Sequence, residues 1–209
     1  MPEYDTLYAD MLAGHGFQFR NWRVVDMEFP KSVHDADGWL ISGSRHGAYE
    51  DHPWIPRLED FIREAFRESV PMVGICFGHQ IIAQAMGGRV EKFAGGWSVG
   101  LTEYEIEGQT YTLNAWHQDQ VIDLPDGAEV IGRTDFCNNA ALLYPGKAFS
   151  VQPHPEFDSS VLQRLLIHRA PGVVEDDRIE TAKAELARAD TNAAMADRIA
   201  AFLKETIHG

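Results

Sequence analysis

The sequence predicts an α/β fold: an open, mostly parallel sheet with helices on both faces, plus a small antiparallel portion. Three observations carry this expectation. Residues 38–42 and 70–75 are short apolar runs, the pattern of strands buried on both faces. Segments with an apolar period near 3.6 alternate with them, and such alternation favours a parallel sheet. Beyond Arg89 the chain breaks into short runs split by Gly, Asp and Pro, which read as short strands. At 209 residues the chain suits one domain, with C-terminal helices over 158–209.

Each element has its own signal. Tyr4, Leu7, Tyr8, Met11 and Leu12 share one helical face, closed by Gly14. Phe17, Phe19, Trp22 and Val24 read as a strand with one irregular step. The run 38–42 is a buried strand stopped by Gly43. Trp54, Ile55, Leu58, Phe61, Ile62, Ala65 and Phe66 mark a helix that Pro53 is placed to start. The run 70–75 leads into a helix over 78–86, ended by Gly87-Gly88. Strands are expected over 102–106, 109–113, 128–133, 140–143 and 148–151, and helices over 159–168, 177–189 and 193–207. Trp39, Trp54 and Phe61 fit core spacing better than a stacking platform, and Cys137 is a packing or loop thiol.

Composition excludes several classes of function. Eighteen basic against 32 acidic residues give a net charge of −14, which repels nucleic-acid backbones and anionic membranes, so neither is expected as a partner. Two cysteines cannot build a disulfide framework, and a reducing, cytoplasmic setting is expected. No apolar run reaches the roughly 20 residues of a spanning helix, and the first five residues lack an export pattern. His46, His52 and His79 lack metal-ligand spacing with one another or with Cys76, so no metal is expected. His46 and His52 are read as surface residues near a cleft rim. Residues 95–100 lack the Lys-Ser/Thr ending of a phosphate loop and read as a turn with a minor place at a substrate rim.

The chemistry concentrates in two motifs. Gly74-Ile75-Cys76-Phe77-Gly78-His79-Gln80 joins a buried strand to a helix, with Cys76 flanked at ±2 by glycines. This is nucleophile-elbow spacing, because a sharp strand-to-helix turn leaves no room for side chains at those positions. A thiol at a helix N-terminus is favoured as thiolate. The plain alternative is a small buried packing residue, for which paired glycines would be unneeded. A nucleophilic Cys needs a base and a group to orient that base. His154-Pro155-Glu156, just after an apolar strand, offers both, since i and i+2 side chains of an extended chain share a face. Alone this triplet is weak; beside the elbow it is strong. Backbone donors for an oxyanion would be Phe77 N–H and the turn Ser42-Gly43-Ser44, through Gly43 and Ser44.

These segments, with Gln152-Pro153-His154-Pro155-Glu156-Phe157, together resemble class I (triad-type) glutamine amidotransferases. They are similar to stand-alone members near the glutaminase domain of GMP synthase and to γ-glutamyl peptidases, over about residues 37–157. The resemblance implies the flavodoxin-like glutaminase fold, with Cys76 as nucleophile, His154 as base and Glu156 as orienting acid. It also implies Gly78, Gln80, Trp116 and His117 at the substrate, the last two within Trp116-His117-Gln118-Asp119, and no cofactor. The implied reaction is hydrolysis of the γ-glutamyl amide of glutamine or a γ-glutamyl compound, releasing ammonia or an amine. A γ-glutamyl peptidase and a non-catalytic binding or regulatory subunit are the alternatives. No segment looks able to bind ATP, so a separate synthase subunit is the expected acceptor of any ammonia passed on.

Two departures from the family pattern stand out. Ser44 occupies a position where the GMP synthase kind usually carries a second glycine. The family opens with a strand before its first helix, whereas this chain begins almost at that helix. The expectation is a shortened chain of reduced stability, with its elbow less rigidly held. Residues 17–25 would then lie beside a gap in the sheet, or pair directly with 38–42.

Overall fold

Connection lengths decide how the strands run. The computed structural model describes residues 4–208, with side chains from 6 to 207; the Met1–Glu3 stretch and the Tyr4 side chain of the first stripe lie outside that range. Helix α1 spans Tyr4–Met11, β1 Trp39–Ile41, α2 Trp54–Arg67, β2 Met72–Ile75 and α3 Phe77–Ala85. Then come β3 (Arg89–Lys92), β4 (Ser98–Ile106), β5 (Gln109–His117), β6 (Asp119–Asp123), β7 (Glu129–Arg133), β8 (Ala141–Tyr144) and β9 (Ala148–Val151). Helices α4 (Ser159–His168), α5 (Asp176–Glu185) and α6 (Asn192–His208) complete the order.

The described strands form a sheet ordered β1-β2-β9-β8-β7-β4-β5 and a separate pair β3-β6. The α/β class and the helices on both faces are as expected, but the sheet is mixed: β1, β2 and β9 run parallel, and the strands beyond β9 pair antiparallel. Parallel neighbours need a crossover of a dozen or more residues, which α2 and the long excursion from β2 to β9 supply. The links β4–β5 and β8–β9 are tight turns, the first through Glu107 (φ 51°) and Gly108 (φ 77°). Positive φ at both central residues is hairpin geometry, so these strands must reverse.

Alternation along β2 builds two cores. Val73 and Ile75 face one, with Tyr8 of α1, Leu12 just beyond it, and Met195, Ile199 and Phe202 of α6. Met72 faces the other, with Trp54, Leu58 and Ile62 of α2, and Phe77, Ile81 and Ile82 of α3. Trp39 is buried at the edge of Phe61, as core spacing implied. No described helix is long and apolar enough to cross a membrane.

Residues 17–24 correct the sequence reading. They form no strand, and the segment ends in a short 3-10 turn at Val24–Asp26. Phe17 packs against the first core, whereas Trp22 and Val24 pack against the second, Trp22 meeting Trp39 at 5.1 Å. The segment therefore wraps round the end of the sheet, and side-chain packing on both faces prevails over β pairing. There is neither an internal gap nor pairing with β1: among the described residues β1 has β2 on one side and no strand on the other. Strands β3 and β6 were also not anticipated, because β3 (Arg-Val-Glu-Lys) buries only Val90.

The parallel register brings three strand ends together. Ile41 pairs with Gly74, Gly74 with Ser150, and Ile75 with Val151, so the segments that follow β1, β2 and β9 emerge side by side. Gly78 locks this arrangement, since a Cβ there would lie 1.9 Å from the Ile41 carbonyl oxygen. Gly78→Ala should therefore cost about 3 kcal/mol or more, as a backbone clash that no rotamer relieves. Gly146→Ala, at φ 65° with open space around it, should cost only the left-handed penalty of about 1 kcal/mol. Urea denaturation of the two variants against the parent checks the difference.

Candidate active site

Cys76 stands at the junction of β2 and α3 with φ 53° and ψ −103°, a conformation rare for a residue with a side chain. Its N–H donates to Val151 O at 2.9 Å, and its carbonyl accepts the Gln80 N–H at 3.1 Å. Both flanking glycines are sterically required. A Cβ on Gly74 would lie 2.5 Å from Gly78 O, and one on Gly78 would strike β1. The ±2 glycine argument from the sequence thus has direct contacts behind it.

Beyond β9, the chain carries His154 to the same end of the sheet. Its N–H donates to Asn114 O of β5 at 2.8 Å, and its ring stacks on Phe157 at 4.1 Å between centroids. Asn114 Nδ2 and Asn192 Nδ2 both donate to Phe157 O, at 2.7 and 2.8 Å, which pins this loop to β5 and α6. His154 Nδ1 meets Glu156 Oε1 at 2.7 Å, with both residues buried. A carboxylate on Nδ1 sets the tautomer and leaves Nε2 for the thiol. Nε2 has no hydrogen-bond partner of good geometry among the described residues, yet Cys76 is near enough to act on the charge of the ring.

The turn after β1 closes the site. Gly43 is buried, and its N–H donates to the Tyr8 hydroxyl at 2.9 Å, so that group is already committed. Of the three expected oxyanion donors, Ser44 and Phe77 remain. Tyr8 itself donates to Glu156 Oε1 at 2.8 Å.

Comparison with known proteins identifies the family. The sequence model of the family "Glutamine amidotransferase class-I" matches residues 10–170. The chain belongs to this family. It is similar to γ-glutamyl peptidase 4 of Arabidopsis thaliana, 30% identical over 88% of this chain and 80% of that protein. It is also similar to the glutamine-hydrolysing GMP synthase of Leifsonia xyli subsp. xyli, 35% identical over 66% of this chain but only 30% of that one. Among solved structures, a glutamine amidotransferase from Methylobacillus flagellatus superposes with a TM-score of 0.76 at 25% identity, covering 96% of this chain and 87% of that one. These relatives are hydrolytic enzymes of the class I amidotransferase type.

Electrostatics separates the buried histidines of this amidotransferase chain. For His154, burial opposes the charged ring, but attraction to Cys76 and then to Glu156 outweighs it and raises the imidazole to about 10. His79 is held down to about 4 by burial, with Nδ1 on Ser150 Oγ at 2.9 Å. His117 is held down to about 3 by burial, and its Nδ1–H donates to Asp119 O at 3.2 Å. Both are neutral near pH 7, which leaves His154 as the ring able to hold a proton beside the thiol.

The residues expected at the substrate divide by what their side chains already do. Gln80 Nε2 donates to Asp119 O and Gln152 Oε1, at 2.9 and 3.1 Å, so this end of the side chain ties the segment after β5 to the one after β9. Gly78 supplies close packing. Trp116 is half-buried, its ring 5.8 Å from that of Trp97, and β4 residues 98–100 pair with β5 residues 115–117 beside it. Cys137 is buried, and burial pushes its thiol up to about 12.

Sequence spacing missed two features. Tyr8 was read only as part of an apolar stripe; its one signal was a hydroxyl on that apolar face, a signal it shares with Tyr4. The second is a donor cluster: His46 Nδ1 and His52 Nε2 both meet Glu50 Oε2, at 3.1 and 2.7 Å. With ligand atoms within 4.8 Å of one another, these three could together hold a metal ion. Glu50, between the two histidines in sequence, supplies the carboxylate that histidine spacing alone does not reveal. His52 stacks on Trp54 and Trp54 tilts against Phe77, so the cluster borders the elbow.

Two titrations follow from these charges. Cys76→Ser removes the larger attraction on His154, so its ring should titrate at lower pH than in the parent, as read by NMR of the imidazole. His79 and His117 titrate below the ordinary value of 6.5 in the folded chain, so the unfolded chain binds more protons below that pH. Their contribution to stability should therefore be lost as pH falls from about 6.5 towards 3–4. Urea midpoints across that window check the sign.

Proposed function

We propose that the chain hydrolyses the γ-glutamyl amide of glutamine or of a γ-glutamyl compound through a thioester on Cys76. The observation that carries this reading is the buried His154–Glu156 pair, at 2.7 Å, set beside a cysteine in elbow geometry. His154 takes the thiol proton, and the sulfur attacks the side-chain carbonyl carbon. Phe77 N–H, at the start of α3, and Ser44 N–H face the oxygen that becomes negative. The carbon–nitrogen bond breaks as His154 returns the proton to the departing amine. Water, giving its proton to His154, then cleaves the thioester, and glutamate leaves with the thiol restored. Glu156 keeps Nε2 directed at the reacting atoms throughout.

The leaving group separates two versions of this reading. Match length favours a γ-glutamyl peptidase that releases an amino acid or amine, since the chain spans 80% of that relative and only 30% of the GMP synthase. In the ammonia-releasing version, a separate synthase subunit supplies the acceptor. Product analysis after incubation with glutamine and with a panel of γ-glutamyl dipeptides decides between them. Glutamate together with an amino acid supports the peptidase; ammonia from glutamine alone supports the glutaminase; neither product sinks the proposal.

Variants test the roles. Cys76→Ser and His154→Ala should each lower kcat by at least about a thousandfold, whereas Glu156→Gln should lose less, because orientation is impaired and the base remains. A glutamine-like electrophile should label Cys76 and spare Cys137, whose thiol is buried and pushed up to about 12. Equal labelling of both at limiting reagent, read by peptide mass mapping, contradicts the assignment.

A further inference from the structure

We infer that Tyr8 is a positioning residue for Glu156, a role that rests on the catalytic reading above. Its hydroxyl lies between two buried groups far apart in sequence. Gly43 N–H donates to it at 2.9 Å, and it donates to Glu156 Oε1 at 2.8 Å. That same oxygen accepts from His154 Nδ1 at 2.7 Å. The result is a continuous line: Gly43 N–H to Tyr8, Tyr8 to Glu156, Glu156 to His154.

The direction of each bond gives the line its consequence. A phenol oxygen that accepts from a fixed backbone N–H has its own proton turned away from that donor, here towards Glu156. The Gly43 peptide thus aims the Tyr8 hydroxyl. Glu156 Oε2 has no hydrogen-bond partner among the described residues, so Oε1 carries the hold on the carboxylate. With Tyr8 on one lone pair of Oε1 and His154 on the other, the carboxylate cannot rotate without breaking both bonds. Without the hydroxyl, His154 Nδ1 alone would hold Oε1.

Packing does not need this hydroxyl. The Tyr8 ring sits in the first core beside Leu12, where phenylalanine would fill the same space. A stability role and a positioning role therefore predict different behaviour of Tyr8→Phe. Because Glu156 supports the base and does not bind the bulk of the substrate, the loss should fall on kcat.

The experiment is kinetic, with the chain as it stands and the γ-glutamyl substrate identified by product analysis. Tyr8→Phe should lower kcat about tenfold or more, with KM within about twofold. In the Glu156→Gln background, the same change should cost less than about threefold, because the group it orients is gone. The downfield proton resonance of His154 Nδ1–H, absent in His154→Ala, should move in Tyr8→Phe. A folded Tyr8→Phe with parental kcat and an unmoved resonance overturns the inference. So does a loss carried in KM alone, or one just as large in the Glu156→Gln background. Should the phenylalanine variant fold poorly, 3-fluorotyrosine at position 8 keeps the packing and strengthens the donor; the resonance must then move, and an unmoved one overturns the role. Cys76→Ser separates the two levels: full hydrolysis without the thiol brings down the catalytic reading itself, whereas a dead Cys76→Ser beside a parental Tyr8→Phe brings down only this one.

Discussion

The backbone of one residue governs the site. Cys76 holds φ 53° and ψ −103°, a region that costs a residue with a side chain on the order of 1–3 kcal/mol unless its surroundings compel it. Here they do. Its N–H is bound to β9, its carbonyl opens α3, and Gly74 and Gly78 let strand, turn and helix approach more closely than any side chain would allow. Because Gly78 rests on the Ile41 carbonyl, the same contact fixes the end of β1 relative to α3. The turn carrying Gly43 and Ser44 follows directly, so the positions of Cys76 and of that turn are consequences of one packing arrangement.

The charges depend on that frame. Burying an imidazole and a carboxylate is expensive unless they are paired and further hydrogen-bonded. His154 and Glu156 meet this condition through each other, Tyr8, and a loop held by Asn114 and Asn192. His79 and His117 are buried to a similar degree but face Ser150 Oγ and a backbone carbonyl, so burial leaves them neutral. Three buried histidines at one end of a sheet thus do different things according to their partners. The C-terminal helices join the site through this network, with Asn192 at the start of α6 anchoring the His154–Phe157 loop 35 residues away in sequence.

Much of this was legible in the residues. The helical stripes at Trp54–Phe66 and 159–168 and the apolar runs at 38–42 and 70–75 appear where periodicity indicates. The elbow and the His-Pro-Glu step were equally readable, since steric and tautomer requirements impose a local spacing. A small antiparallel portion was expected, and its full extent beyond β9 was latent in the short links. Residues 17–24 show the opposite failure: apolar residues at strand-like positions were serving two separate cores on either side of a sheet end.

By itself, the sequence determined which segments could be strand or helix, which cysteine sits where a turn demands glycines, and which histidine has a carboxylate two residues on. These are local matters of sterics and short-range geometry. Only the tertiary structure decided that Tyr8 joins Gly43 to Glu156 across 35 and 148 residues of chain, and that Gly43 is thereby spent. It alone brought Glu50 between His46 and His52, and assigned one buried histidine a proton while holding two others neutral. The reason is physical: hydrogen-bond direction and the charge state of a buried group depend on which atoms surround it, and those atoms come from distant parts of the chain.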